Sequence, residues 1–179
     1  MKAFENDLVL DGDRIIEHKP AISDKALRLN LNKNIYGTFS EIGAGQETVR
    51  HFFRSGGSSR TIAKAMSAYD KQFSDAIYTI ESDGRYVTES RLKKMLSHES
   101  RLMEERLNHE ENPKQIYFSY ANTVATIDFA KKFKGHGWVG IRFQTEPNGD
   151  YNEIILHIQF KENDVRLQQQ TLGILGVNL

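Results

Sequence analysis

The sequence predicts a mixed α/β or α+β domain, with a mainly antiparallel sheet and about four helices. Three observations predict it. Short runs that alternate apolar and polar residues recur along the chain, as at Leu27, Leu29 and Leu31 or Val139, Ile141 and Phe143. Other segments place their apolar residues on one helical stripe, above all Leu92, Met95, Leu96, Leu102, Met103 and Leu107. Turn dipeptides separate the two kinds of segment, among them Asp11-Gly12, Asn112-Pro113 and Asn148-Gly149. At 179 residues the chain is expected to form a single domain, 1–179.

The elements follow in order. Residues 1–23 are expected to supply a hairpin and lead-in, with Asp11-Gly12 turning LVL onto RII. The alternation of Leu27, Leu29 and Leu31 with Arg28 and Asn30 predicts a half-buried strand. Asn32-Lys33-Asn34 turns it into a second strand, IYGTFSEI. Helices are expected near 46–54 and near 59–73, the second from the stripe Ile62, Met66, Tyr69 and Phe73. The strongest helix spans 88–109, capped by Thr88 and ended by Asn112-Pro113. QIYFSYANTVATI predicts a strand, and GWVGIRFQTEPNGDYNEIILHIQF a hairpin. If Asn148-Gly149 is a two-residue loop, Phe143 faces Ile154, Ile141 faces Leu156 and Val139 faces Ile158. A helix over 164–172 is expected to stop at Gly173, leaving the apolar, strand-like ILGVNL at the end. A domain rarely stops inside such a segment, so the chain is expected to be the N-terminal portion of a longer protein.

Composition narrows the function classes. Lys+Arg and Asp+Glu both number 24, which argues against a strongly basic nucleic-acid surface. With no cysteine there is no disulfide framework, no thiolate zinc site and no cysteine nucleophile. No stretch approaches the roughly 20 apolar residues of a membrane span. The N-terminus is acidic from Glu5 onward and holds no signal-peptide core, so a cytoplasmic protein is expected.

Chemistry is sought first at EIGAGQETVRHFFRSGG, residues 41–57. A strand running through Gly43 and Gly45 into a helix would aim free N–H groups, and the positive helix end, at a bound anion. The helix beyond carries Glu47, Arg50, His51 and Arg54 on one polar stripe, two cations and an imidazole suited to phosphate or carboxylate. Neither G-x-x-x-x-G-K-[ST] nor G-x-G-x-x-G occurs, and Glu47 itself supplies negative charge to the helix start. The bland alternative is a strand-to-helix turn with a solvated helix face.

A second candidate is the polar side of the 138–159 hairpin, where Trp138, Arg142 and Gln144 meet Glu153, Ile155, His157 and Gln159. Arg142 would anchor an anion and His157 carry a proton; the alternative is the water-facing side of a half-buried sheet. Carboxylates for a divalent metal could come from Glu41, Glu47, Asp75, Glu81 and Asp83, as in a metal-dependent nuclease or phosphotransfer domain. Their spacing matches no ligand template, and no metal site is assigned. KFKGHGW combines lysines, His136 and Trp138, a set that can stack a base and meet a phosphate.

The leading expectation is a domain that binds a small anionic, phosphate-bearing ligand between two groups of residues. Gly43, Gly45, Glu47, Arg50 and Arg54 form one, and Arg142 and Gln144 the other. If the domain is an enzyme, His51 or His157 carries the proton. No cofactor is named, and neither membrane nor nucleic acid is an expected partner. The rival expectation is a non-catalytic interaction or scaffold domain completed by the remainder of its own longer chain.

Several segments carry a resemblance: KALRLNLNKNIYGTFSEIGAGQETVRHFFRSGGSSRTIAKAMSAYD, YANTVAT, GHGWVGIRFQ and QQQTLGILGVNL. From about Asp24 to Leu179 the chain is similar to the N-terminal portion of a family of larger uncharacterised bacterial proteins. Members are often named TonB-dependent receptor or nicotinate-nucleotide adenylyltransferase. A receptor of that kind needs a secretion signal, a plug and a long β-barrel, none of which begins here. The adenylyltransferase would show H-x-G-H, whereas Gly135-His136-Gly137 lacks the second histidine. The resemblance implies a longer chain and carries no catalytic residue.

Overall fold

The computed structural model describes residues 8–11, 14–17, 20–107 and 111–179. Strands β1 (Leu8–Asp11) and β2 (Arg14–Glu17) pair antiparallel as a small hairpin, with Asp11 opposite Arg14. The expected Asp11-Gly12 turn lies partly outside the described residues.

Residues 22–30 correct the first expectation. They form helix α1 (Ile22–Asn30), not a strand. The face it buries is 22, 26, 29 and 30, a helical spacing that holds an alanine and an asparagine. Asn30 is buried because its amide donates to the Phe52 and Gly56 carbonyls at 2.8 and 2.7 Å. A polar residue on the buried stripe hid the helical period and left the leucine alternation visible.

The main sheet has five strands in the order β4-β3-β5-β6-β7. They are β3 (Ile35–Gly43), β4 (Ile62–Ala68), β5 (Ile116–Ala125), β6 (His136–Gln144) and β7 (Tyr151–Gln159). Strand β3 pairs parallel with β4 and β5, while β5-β6 and β6-β7 are antiparallel. The sheet is thus mixed, two parallel pairings and two antiparallel ones, where a mainly antiparallel sheet was expected.

Strand β4 stands where a helix over 59–73 was expected, followed by α3 (Lys71–Tyr78). The stripe Ile62–Met66 misled because positions i and i+4 share a face in a strand as well as in a helix. Alternation of half-buried Ile62, Lys64 and Met66 with exposed Ala63, Ala65 and Ser67 is the strand's own signature. Asp70 caps α3 by accepting from Phe73 N at 2.9 Å.

Helix α2 (Thr48–Ser55) crosses from β3 to β4 on one face of the sheet. It packs with α1 and α5 (Val165–Asn178) around Phe39, Phe52, Tyr120, Val139 and Leu172. Helix α4 (Glu89–Arg106), capped by Thr88 as expected, covers the other face with Leu92, Met95 and Leu96 against Ile42 and Ala121. The helices number five in the described residues.

The β6-β7 hairpin keeps the expected faces but shifts its pairing by two residues. Ile141 stands opposite Ile154 and Val139 opposite Leu156, closing a loop from Gln144 to Tyr151. A shift of two preserves which side chains share a face, so pattern alone cannot detect it.

Helix α5 continues to Asn178, through both Gly173 and the segment expected to be strand-like. Its glycines are there for close approach. A Cβ on Gly176 would lie 2.3 Å from Thr48 Oγ1 and 2.6 Å from the Tyr120 hydroxyl, and one on Gly173 would meet Glu47 and His51 at 3.0 Å. We expect Gly176→Ala to lower stability by about 1–3 kcal/mol despite alanine's better helix propensity, read as a lower urea midpoint at unchanged slope.

Candidate functional site

Strand β3 ends at Gly43, whose φ of 74° turns the chain out of the sheet, and Ala44 N donates to Val124 O at 3.1 Å. The loop then passes over Asn122, so close that a Cβ on Gly45 would sit 2.2 Å from Asn122 Oδ1. The N-terminus of α2 is filled from within the chain. Glu41, only 1 % exposed, accepts from Thr48 N at 3.0 Å and Val49 N at 3.4 Å. Asn122 Nδ2 donates to Glu41 Oε1 at 3.0 Å and to Gly45 O at 2.9 Å, while the Thr48 and Tyr120 hydroxyls meet at 2.9 Å.

Two of the donors expected to hold a bound anion, Thr48 N and Val49 N, are therefore spent on the buried Glu41 carboxyl. Burial pushes the Glu41 carboxyl up to about 7, against the lowering by Thr48 N, Val49 N and Asn122. The anion cradle is real in its physics, but its occupant belongs to the chain. Glu47 instead pairs with Arg50 at 3.2 Å, both on the surface of α2. His51 lies beside Gly173 of α5, its pKa lowered by burial and then by Arg54, while Arg54 is exposed.

The second expected group lies elsewhere. Odd positions of β6 face the α2/α5 layer, as Val139 does, whereas Gly140 lies against Leu92 and Leu96 of α4. Arg142 and His157 thus belong to the α4 face, and the sheet separates them from Arg50, His51 and Arg54. A single pocket between the two groups, the expected arrangement, is not formed.

Arg142 lies over the Tyr151 ring at 4.8 Å and pairs with Glu153 at 3.3 Å. Gln144 acts structurally, pinning the hairpin loop. Its oxygen accepts from Tyr117 N at 3.0 Å and its nitrogen donates to Gly149 O at 2.9 Å. His157 stands opposite Trp138, four positions or roughly 13 Å along β6 from Arg142.

The candidate metal carboxylates are dispersed in the same way. Asp75 and Glu81 are held by Arg91 with Lys71 and Lys94, and Asp83 accepts from Arg85 N. Among the described residues no three His, Asp or Glu side chains converge as a metal set.

What the tertiary structure does bring together lies at the carboxyl edge of the parallel strands. The β3-α2-β4 crossover covers one face, and the return through α3 and α4 to β5 covers the other. Such a switch point opens a crevice outside the strand ends. Tyr86 closes on it: its carbonyl accepts from Thr123 Oγ1 at 2.6 Å, and its ring lies near Gly43. Beside it, His157 stacks on Trp138 at 4.5 Å and meets the His136 ring edge-on at 6.0 Å. The His136 pKa is lowered first by burial, then by His157 and by the neighbouring Arg85 charge. Arg85 is exposed and has no ion pair among the described residues. The adjacent loop carries exposed Lys131, Lys132 and Lys134, with Asp128 holding its turn through Lys132 N and Phe133 N.

Sequence reading missed Arg85, Tyr86 and Asn122. A usable signal for Asn122 was present, an amide inside the otherwise apolar FSYANTVA, as was Glu41 inside IYGTFSEIG. For Arg85 no local signal exists, because only the return from α3 to α4 brings it to His136. A second buried network, on the α4 face, was also missed: Tyr78 OH donates to Glu99 at 2.8 Å and meets Ser40 Oγ at 2.6 Å, with Lys64 paired to Glu99.

Fold and strand order together describe a three-layer α/β/α domain with its switch point between β3 and β5. Solved structures share that fold. The competence/damage inducible protein CihA from Agrobacterium tumefaciens superimposes with a TM-score of 0.61 at 14% identity, covering 89% of this chain and 93% of that one. A competence-damaged protein (CinA) superfamily protein from Klebsiella pneumoniae gives 0.57 at 8% identity, covering 88% and 91%. Another from Enterobacter cloacae gives 0.57 at 9%, covering 95% and 94%. None of the three is described as a receptor or an adenylyltransferase. No protein-family model matches the chain, and no curated protein matches it. No helix among the described residues is long and apolar enough to cross a membrane.

Proposed function

We propose that the domain binds a small anionic, phosphate-bearing ligand at the carboxyl edge of β3 and β5, with Arg85, His136 and His157 meeting its charge. The observation that carries the reading is their convergence beside the switch point, where Arg85 has no acidic partner among the described residues. Trp138, stacked on His157, gives the imidazole a flat support. The site differs from the one expected from sequence: His157 remains in it, while Arg50, Arg54, Arg142 and Gln144 do not. A bound anion favours the imidazolium form of His136, whose pKa burial, His157 and Arg85 hold below the ordinary 6.5, so binding takes up a proton and tightens as the pH falls.

The test is thermal unfolding with inorganic phosphate or pyrophosphate at pH 6 and pH 8. A ligand near 100 times its Kd adds about 2.7 kcal/mol, a rise in Tm of about 5–10 °C for a domain of this size. The rise should be larger at pH 6 and should shrink in Arg85→Ala and His157→Ala. Equal melting temperatures with and without either anion at both pH values would sink the reading.

One observation favours a second reading, an interaction domain completed by the rest of a longer chain or by another protein. Phe129 and Phe133 project from the 126–135 loop, fully exposed and 73% exposed respectively.

A further inference from the structure

At the opposite edge of the sheet, where β3 and β5 begin and β6 ends, a cavity of about 200 Å³ lies between the sheet, α1 and the last turn of α5. Phe39, Phe52, Phe118, Ile141, Phe143 and Leu179 form much of its wall. The space is partly open to solvent, yet its walls are almost wholly apolar, and closely packed side chains seldom leave so large an apolar recess. A dry cavity of about 150 Å³ lined by Leu, Ile and Phe is known to take up benzene or xenon.

The polar groups on the wall are already engaged. Thr61 Oγ1 donates to Asn30 O at 2.9 Å, Gln144 is bonded at both ends, and the Tyr120 hydroxyl meets Thr48 at 2.9 Å. A water inside would need two to four polar partners that these groups do not spare. The rings are set for aromatic contact, with Phe39 tilted against Phe52 at 4.9 Å and edge-on to Phe118 at 5.5 Å.

We infer that this cavity is a second ligand site, one that takes an uncharged apolar molecule or the hydrocarbon portion of a larger one. It is independent of the anion site, which occupies the other edge of the sheet on the α4 face. Walls from β3, β5, β6, α1 and α5 meet there, so a filled cavity ties the start of the sheet to both helices. Binding is selective for apolar bulk and indifferent to hydrogen-bonding groups, because no wall donor or acceptor named above is spare.

The probe is N-phenyl-1-naphthylamine, an uncharged aromatic dye whose emission rises in an apolar site, titrated into the folded protein and competed with 1-decanol. The expected result is saturable binding of one dye per chain, displaced by 1-decanol and insensitive to phosphate. Ile141→Trp, which fills the space from the sheet side, should weaken binding by about tenfold or more. Leu29→Phe, a smaller filling from α1, serves where the tryptophan variant does not fold. No saturable rise with the native protein overturns the inference, whatever the variants do. So does a rise that survives cavity filling in a folded variant, since the dye then sits on the surface. Loss of dye binding as protein concentration rises, with dimers seen by light scattering, assigns the space to a second copy and overturns it too.

Discussion

Replacing Arg91 with methionine is expected to cost about 3–5 kcal/mol, the loss typical of breaking a buried ion pair from one side. Arg91 is completely buried at the first turn of α4. Its guanidinium binds Asp75 and Glu81, donates to Ser74 Oγ at 2.8 Å and to Thr79 O at 2.9 Å, and so ties α3 and the following segment to α4. Thr79 has a φ of 66°, unfavourable for a β-branched residue, and the Arg91 bond to its carbonyl helps to hold it. Methionine keeps the bulk but leaves two carboxylates to Lys71 and Lys94 alone. Arg91→Lys restores a charge without the planar fork and should recover only part of the loss. Urea unfolding of the three proteins decides it: a cost below about 1 kcal/mol for Arg91→Met would mean that the lysines suffice.

Glutamine at position 41 should make the protein more stable at alkaline pH. The Glu41 carboxyl sits at about 7 in the folded state because burial outweighs its hydrogen bonds, against 4.5 as its ordinary value. A group raised in this way contributes stability that is complete below pH 4.5 and is lost as the pH climbs through 7. The loss is on the order of 3 kcal/mol. Glu41→Gln resembles the protonated acid in shape and neutrality, so its stability should lack this slope. The two proteins should match near pH 4 and separate by up to about 3 kcal/mol in favour of the variant near pH 8. Parallel curves of stability against pH would show that Glu41 keeps an ordinary pKa.

That prediction bears on the stretch EIGAGQETVR, which reads as an anion cradle. Its glycines, strand end and helix start are placed as the sequence suggests, yet the carboxylate that occupies the helix start is the chain's own Glu41. Only the strand-to-helix return shows that Glu41 folds back on Thr48. Once it does, Thr48 N and Val49 N are no longer free for an external anion, and the proposed anion site lies instead at Arg85, His136 and His157.

By itself the sequence determined what depends on local periodicity and capping. Helix α4 with its Thr88 cap, strands β3 and β5, and the two faces of the β6-β7 hairpin all follow from patterns a few residues long. The tertiary structure decided the elements whose buried faces carry polar or very small residues. Asn30 is buried only because Phe52 and Gly56 offer carbonyls, and Gly173 and Gly176 stay helical because α2 and Tyr120 press against them. It also decided that Arg50 and Arg142 lie on opposite sides of the sheet. Periodicity states which residues share a face of their own element, and only the packing of elements determines which faces meet.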